Sequence, residues 1–529
     1  SAFENNVKLL LKSVEYAKLN DSALDPTTIT KENMKETIDM EPEKYAEVTF
    51  TVTDEQVSVV AVGAENWDGL TAYGTSADMR VVDTEDYDIA PPVLTLLGDN
   101  PTKVAKGSTY IDAGATASDA KDGNITSDII ATGTVDTSEI GTYTRTYTVA
   151  DHAGNTVSLT RTVNVVGTAN APVLATGMTP IKWDGSAWVT TTADDNEWYN
   201  YTETDKKWAN AKTSDGSMWV WIPRYIYKMT SGWHTNTAAT IEVKFTIETD
   251  DTNGGAIEIV NTNNASDSNG TWSNHPAFTF GSTELTGIWV AKFEASGTTS
   301  AVNFVPNVTS LRSLTVNNAF TASRNMETNS RYGWDTTGTG VDTHLIKNNE
   351  WGAAVYLANS LYGKNDEVII NSSGFYTGGG TSDAYVTNVS QSTTGNVYGI
   401  YDMGGGAYEQ TAGYVNNSYA RTDGSLVVDA DAKYKDVYQI GTTDSVADNY
   451  ALAINHKGDA IYETSSSGGS STSWYADYSR IPATSNAWVV RSGYYGTGTG
   501  AGIFHYSYRP GTVNAYDSFR VTLLVGEGL

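Results

Sequence analysis

The stretch that decides the reading of this chain is its tail. WVV (488–490) opens it, RSGYYGTGTG (491–500) and HYSYRPGTVNAYD (505–517) follow on either side of Gly502-Ile503-Phe504, and SFRVTLL (518–524) closes it. The flanking segments are apolar and β-prone. The interior is Tyr, Ser, Gly, Asn, Asp, His and Arg with almost no aliphatic residue. Tyrosine gives broad, stiff, amphipathic contact area, and Ser, Gly and Asn give adaptable hydrogen bonding, the composition of antibody paratopes. This predicts a packed framework of Trp488, Val490, Ile503, Phe519, Val521 and Leu523 beneath a recognition surface. The candidate ligand-binding residues are Ser492, Tyr494, Tyr495, His505, Tyr506, Ser507, Tyr508, Arg509, Asn514, Tyr516 and Asp517. Residues 505–508 are expected to be extended, with alternate side chains facing solvent.

Composition narrows the classes. Sixty-two acidic residues against 33 basic ones give a net charge of −29 and a sequence pI near 4.4. Such a surface repels phosphate backbones, so nucleic acid is not an expected partner. There is no cysteine, which excludes disulfides, thiolate metal sites and cysteine nucleophiles. No run of eighteen apolar residues spans a membrane. The chain opens inside a helical pattern with no signal peptide, as a mature or trimmed product would. At 529 residues it has room for several domains.

Phe3, Val7, Leu10, Val14 and Ala17 recur at four, three, four and three residues, one apolar face of a helix. A short helix over 31–40 follows, then strands over 47–53, 56–62 and 78–83, with a turn at Asn66-Trp67-Asp68-Gly69. This order resembles the globular half of a Gram-positive-type type IV pilin or pseudopilin, over residues 1–88. The resemblance implies that the apolar first half of the helix, which anchors the subunit and packs the fibre core, is missing. It also implies other pilin subunits as partners, and membrane contact only through that missing half.

Ile89-Ala90-Pro91-Pro92 reads as a linker. Over 89–167 short alternating strands and Gly/Asp turns predict a β-sandwich. SDAKDGNIT (118–126) and VADHAGN (149–155) resemble bacterial immunoglobulin-like modules, which serve as spacers. Asp119, Asp122 and Asp151 either gather around a calcium ion or only make turns.

A second small-residue linker is expected at 167–172. Beyond it come DGSMWVWIPRYIYKM (215–229), HPAFTFG (275–281), LTGIWVAKFEAS (285–296), THLIKNNEWGAAVYLANSLYG (343–363) and TTGNVYGIYDMGGGAYE (393–409). The clearest helix is over 347–361, with Trp351, Ala354, Val355 and Ala358 on one face. These segments resemble the C-type-lectin-type fold shared with formylglycine-generating enzymes, over 168–529. In that family the segment matching 398–409 holds calcium, which implies Asp402, the carbonyls of Gly405 and Ala407, and Glu409 as ligands. Gly406 and Tyr408 depart from the pattern, where Asn and Trp stand. The family's oxidase chemistry requires a cysteine pair that this chain lacks, so no enzymatic activity is expected. His275 and His344 read as core or turn residues.

The same fold carries the variable sites of diversity-generating retroelements. Arg491-Ser492-Gly493 and Ser518-Phe519-Arg520 resemble the bookends of those variable regions, here about 488–524. The fold class expected is therefore multidomain, β-rich α+β: a pilin-like module, an immunoglobulin-like spacer and a C-type-lectin-type head. The function expected is a pilus-associated adhesin binding an extracellular protein or glycan, located at the cell surface. A phage or prophage receptor-binding protein, a formylglycine-generating-type enzyme and a purely structural filament subunit are the alternatives.

Overall fold

The first helix, Ala2–Asn20, buries Phe3, Val7, Leu10, Leu11 and Val14 on one side. It starts where the Ser1 hydroxyl accepts from the Glu4 amide at 3.1 Å, satisfying a donor that the first helical turn leaves unpaired. The computed structural model describes residues 1–105, 109–138, 141–166, 169–195, 197–252, 259, 270–335, 337 and 340–529. Two compact units divide the chain, Ser1–Val166 and Gly167–Leu529. Gly167 and Thr168, at the start of the second expected linker, lie outside the described residues.

In the first unit the helix lies against an antiparallel sheet whose strands follow chain order: Tyr45–Thr53, Gln56–Gly63, Leu70–Gly74 and Met79–Asp83. The inward faces of the first two strands supply Val48, Phe50, Val57, Val59 and Ala61 to one core with the helix. The short second helix is Met34–Ile38. Residues 88–92 carry no regular structure.

The next stretch forms two sheets. Thr102–Ala105, Thr156–Val166, Gly141–Ala150 and Ile130–Thr132 make one; Val93–Leu96, Ala115–Asp119 and Gly123–Asn124 make the other. Leu94, Ala117, Ile125, Tyr147 and Val149 fill a shared core. Asp112 accepts from the Tyr147 hydroxyl at 2.5 Å, from buried Arg161 at 2.5 Å and from Arg145 at 3.1 Å. Arg161 also donates to the carbonyls of Leu97 and Gly114.

The second unit is built on a seven-stranded antiparallel sheet. Its order is Trp188–Thr190, Thr179–Trp183, Asn210–Lys212, Met218–Pro223, Gly287–Ala291, Val521–Val525 and Val341–Leu345. The chain's last strand thus sits between strands that begin some 180 and 230 residues earlier, so the tail is locked into the middle of the sheet. Helix Asn348–Ala358 is buried on every side, with every residue but Asn349 buried, as befits a helix enclosed by the fold. His344 beside it is fully buried, 2.6 Å from Asp342 and 2.8 Å from Glu350. His275 is equally buried, within an aromatic cluster of Tyr225, Tyr227 and Phe278. The molecule is multidomain and β-rich.

Candidate functional site

Strand Tyr408–Val415 organises the tail. It pairs antiparallel with Trp488–Arg491 and parallel with Asp517–Phe519, and Trp488–Arg491 pairs in turn with Tyr506–Arg509. The opening segment, the middle of the insert and the closing segment therefore converge on one small sheet. All six expected framework residues, Trp488, Val490, Ile503, Phe519, Val521 and Leu523, are buried.

Polar groups fix the insert from below. Asp477 accepts from the amides of Gly502 and Phe504, each at 2.9 Å. Burial pushes its carboxyl up to about 8 despite those bonds. Buried Arg491 donates to the carbonyls of Asp459 and Ala460, and Trp351 Nε1 donates to that of Ile503 at 3.0 Å. The face is thus preorganised by its supports.

The expected recognition residues divide into three groups. Tyr495 and Tyr516 are exposed, at 37% and 46%, and Tyr494 is half-buried between them. Their rings pack at 5.4 Å (Tyr494–Tyr495) and 4.9 Å (Tyr494–Tyr516), and Phe375 joins them 4.9 Å from Tyr495. The Arg312 guanidinium lies 3.7 Å over Phe375.

A second group lines an open cavity of about 430 Å³: His505, Ser507, Tyr508, Arg509 and Asn514, together with Tyr408, Tyr478, Asn486, Thr497 and Pro510. Arg509 lies 4.2 Å over the Tyr408 ring, and its Nε is 3.2 Å from both oxygens of buried Asp517. Burial pushes the Asp517 carboxyl up to about 6, against the pull of Arg509. Tyr408 spans both groups, 5.5 Å from Tyr494 and 5.7 Å from His505.

The third group, Tyr506, Ser492 and Asp517, corrects the expectation, since all three are fully buried. Tyr506 is fully buried, its hydroxyl 3.0 Å from Ser465 Oγ, in a core with Ile481 and Val489. Ser492 is fully buried, donating to the Gly405 carbonyl at 3.0 Å. Alternation along the extended segment puts Tyr506 and Tyr508 on the side opposite His505, Ser507 and Arg509; Tyr506 turns inward, while half-buried Tyr508 near the strand end still lines the cavity. Tyr408, Tyr478 and Asn486 were not legible as site residues. They belong to segments outside the insert that the fold brings to the cavity.

Three of the four implied calcium ligands, Asp402, the Gly405 carbonyl and Glu409, are already engaged by the protein itself. Asp402 accepts from the Gly378 amide at 2.9 Å and from Asn371 Nδ2 at 3.0 Å. The Gly405 carbonyl is taken by Ser492. Glu409 forms a fully buried two-bond pair with Arg520, Nε at 2.9 Å and Nη2 at 2.6 Å. The Ala407 amide donates to Glu294 Oε1 at 2.7 Å. A guanidinium occupies the place at Glu409 that a cation would take, so this donor set does not fit calcium. Gly406 is required here, because a Cβ would stand 2.4 Å from Glu294 Oε1.

In the first unit the acidic trio whose oxygens approach within 4.8 Å, among the described residues, is Asp88, Asp119 and Asp151. Asp122 departs from the expected set and pairs with His152 at 2.9 Å. Asp119 and Asp151 already accept turn hydrogen bonds from Lys121, Asp122 and Asn155.

Residues 94–165 match the bacterial surface protein Ig-like domain. The match covers the two-sheet module described above. No curated protein matches the chain. Solved structures with local similarity include a lipoprotein from Bacteroides thetaiotaomicron, 20% identical over 25% of this chain and 55% of that one, with a TM-score of 0.15. The CBM51-2 and INT domains of Clostridium perfringens ZmpB, in complex with GlcNAc, are 16% identical over 26% of this chain and 31% of that one, TM-score 0.13. The M60 catalytic domain of ZmpB with its two CBM51 domains is 15% identical over 34% and 22%, TM-score 0.15. The chain thus spans about half the first of these and a third or less of the others. At such TM-scores the likeness carries no argument.

Proposed function

We propose that this chain is a surface-displayed binding protein. Its second unit engages an extracellular protein or glycan through the tail face, without chemistry. The observation that carries the reading is the continuous aromatic-polar face: Tyr494, Tyr495, Tyr516 and Phe375 at the surface, running through Tyr408 into the cavity around His505. Aromatic rings on rigid supports are the usual anchors of binding hot spots. The match to a bacterial surface Ig-like domain supports display at the cell surface, with that module as spacer.

The finer reading is a pilus-borne adhesin whose tail is diversified by a retroelement. Supporting filament assembly, Leu9, Tyr16 and Leu19 of the first helix are 58%, 68% and 84% exposed, an apolar face suited to packing against other pilin subunits. Supporting diversification, the exposed positions of the insert change little of the core if substituted, whereas its framework is buried throughout.

The test is a printed array of oligosaccharides and extracellular proteins, probed with the wild-type chain and a Tyr478→Ala/Tyr495→Ala/Tyr508→Ala/Tyr516→Ala variant. The variant is expected to lose capture with an unchanged melting temperature. Capture by the variant at wild-type level would refute the reading.

A further inference from the structure

We propose that the cavity between Tyr408, Tyr478 and His505 is a subsite for a neutral sugar ring, with His505 Nε2 accepting a hydrogen bond from one of its hydroxyls. This rests on reading the tail as a recognition face, and adds the ligand class and the atom that selects it.

His505 is fully buried and is one of the residues lining the cavity. Its Nδ1 lies 2.8 Å from the Gly500 carbonyl. A carbonyl only accepts, so Nδ1 carries the proton and Nε2 presents a lone pair. That Nε2 has no hydrogen-bond partner. Burial holds the imidazole neutral, down at about 3, and Arg491 and Arg509 nearby push the same way. A buried acceptor left without a donor is costly, and buried polar groups are normally paired. A ligand hydroxyl would complete it.

The walls narrow the ligand class. Tyr478 stacks along His505 at 5.5 Å and 29°, and Tyr408 flanks it at 5.7 Å. The remaining lining is hydroxyl and amide, from Ser507, Thr497, Asn486 and Asn514, with Pro510 the one aliphatic side chain. A ligand that donates and accepts around its whole rim while offering C–H faces to aromatic rings matches this lining; an aliphatic side chain does not. The cationic side chain of the lining, Arg509, is already paired with Asp517. An acidic ligand therefore finds no free counter-charge, and the net charge of −29 repels it. The volume of about 430 Å³ is at the lower part of the range for small-ligand sites, enough for one or two sugar rings.

The test uses the full chain on an array carrying neutral oligosaccharides, their sialylated and sulfated counterparts, and tyrosine- and serine-rich peptides, with titration calorimetry on the strongest responder. His505→Phe keeps the ring volume and removes the acceptor; Tyr478→Ala removes one wall and does not depend on tolerance of a core change at 505. Both are checked for an unchanged melting curve, and Tyr419→Ala, an exposed residue outside the tail, serves as a control. The inference predicts binding to neutral glycans, weakened at least about tenfold by His505→Phe and by Tyr478→Ala and unchanged by Tyr419→Ala. If His505→Phe does not fold, Tyr478→Ala alone decides. Neutral-glycan binding that neither cavity variant weakens overturns the inference. Tail-dependent binding confined to peptides or acidic glycans also overturns it, while leaving the recognition face intact. Absence of any tail-dependent binding removes the recognition face as well.

Discussion

Replacing Glu409 with glutamine tests what holds the tail in place. Glu409 and Arg520 are both fully buried, joined by two hydrogen bonds, and Arg520 further donates to the carbonyls of Ala291 at 2.6 Å and Tyr401 at 2.9 Å. This one guanidinium ties the seven-stranded sheet, the 393–409 segment and the strand under the insert together. Removing one charge leaves the other buried and uncompensated, which costs about 3–5 kcal/mol. With an unfolding entropy of ~2.1 cal/mol/K per residue, a unit the size of Gly167–Leu529 should lose roughly 4–7 °C in melting temperature. Replacing both partners, as Glu409→Gln with Arg520→Met, should recover part of the loss because no lone charge remains. The assay is differential scanning calorimetry in calcium and in chelator. The expected result is the same loss in both, and no calcium response from the wild type. A wild-type protein stabilised by calcium, with that gain abolished by Glu409→Gln, would falsify the assignment of Glu409 to Arg520.

Other expectations follow from the same contacts. Tyr506→Ala should cost about 3–5 kcal/mol by emptying a packed aromatic site, while Tyr495→Ala leaves the melting curve in place; scanning calorimetry on both checks this. The second unit should lose stability as pH rises. Burial pushes Glu294 up, aided by Asp402 and Glu409, and pushes Asp459 up to about 7 and Asp477 up to about 8. A folded state that holds protons the unfolded chain releases near 4–4.5 is most favoured below that range and is weakened as pH climbs through 7–8. Melting between pH 5 and 8.5 reads this, and Glu294→Gln should flatten the slope. The two-sheet module should behave oppositely. Burial raises Asp112, but hydrogen bonds from Tyr147, the Gly114 amide and Arg145 outweigh it and hold the carboxyl at about 2. That contribution is present above about pH 4 and is lost as pH falls toward 2; acid titration of wild type against Asp112→Asn should show the variant insensitive in that window.

Local patterns were legible where periodicity and burial coincide. The first helix declared its buried face through Phe3, Val7, Leu10 and Val14, and the sandwich module declared itself through alternation and turn residues. Strand Leu70–Gly74 was missed, since its five residues show too short an alternation between two turns. The helix at Asn348–Ala358 was visible, but its burial on every side was not, because a single apolar face and an enclosed helix start from similar spacing. At the tail the framework was legible as apolar bookends. The inward turn of Tyr506 was not, because the phase of a strand is set by its partner across the sheet, here Trp488–Arg491. The calcium set failed for a similar reason: Arg520, 111 residues from Glu409 in sequence, supplies the charge that a local motif leaves open.

The central claim, that discrimination resides in the tail face, is tested most directly by surface plasmon resonance on the array's strongest responder. Wild type is compared with the quadruple tyrosine variant and with Tyr419→Ala/Leu426→Ala, two exposed residues outside the tail. The account predicts wild-type affinity for the Tyr419/Leu426 variant and no measurable binding for the tail variant, all three melting alike. Equal affinity across the three proteins would contradict it.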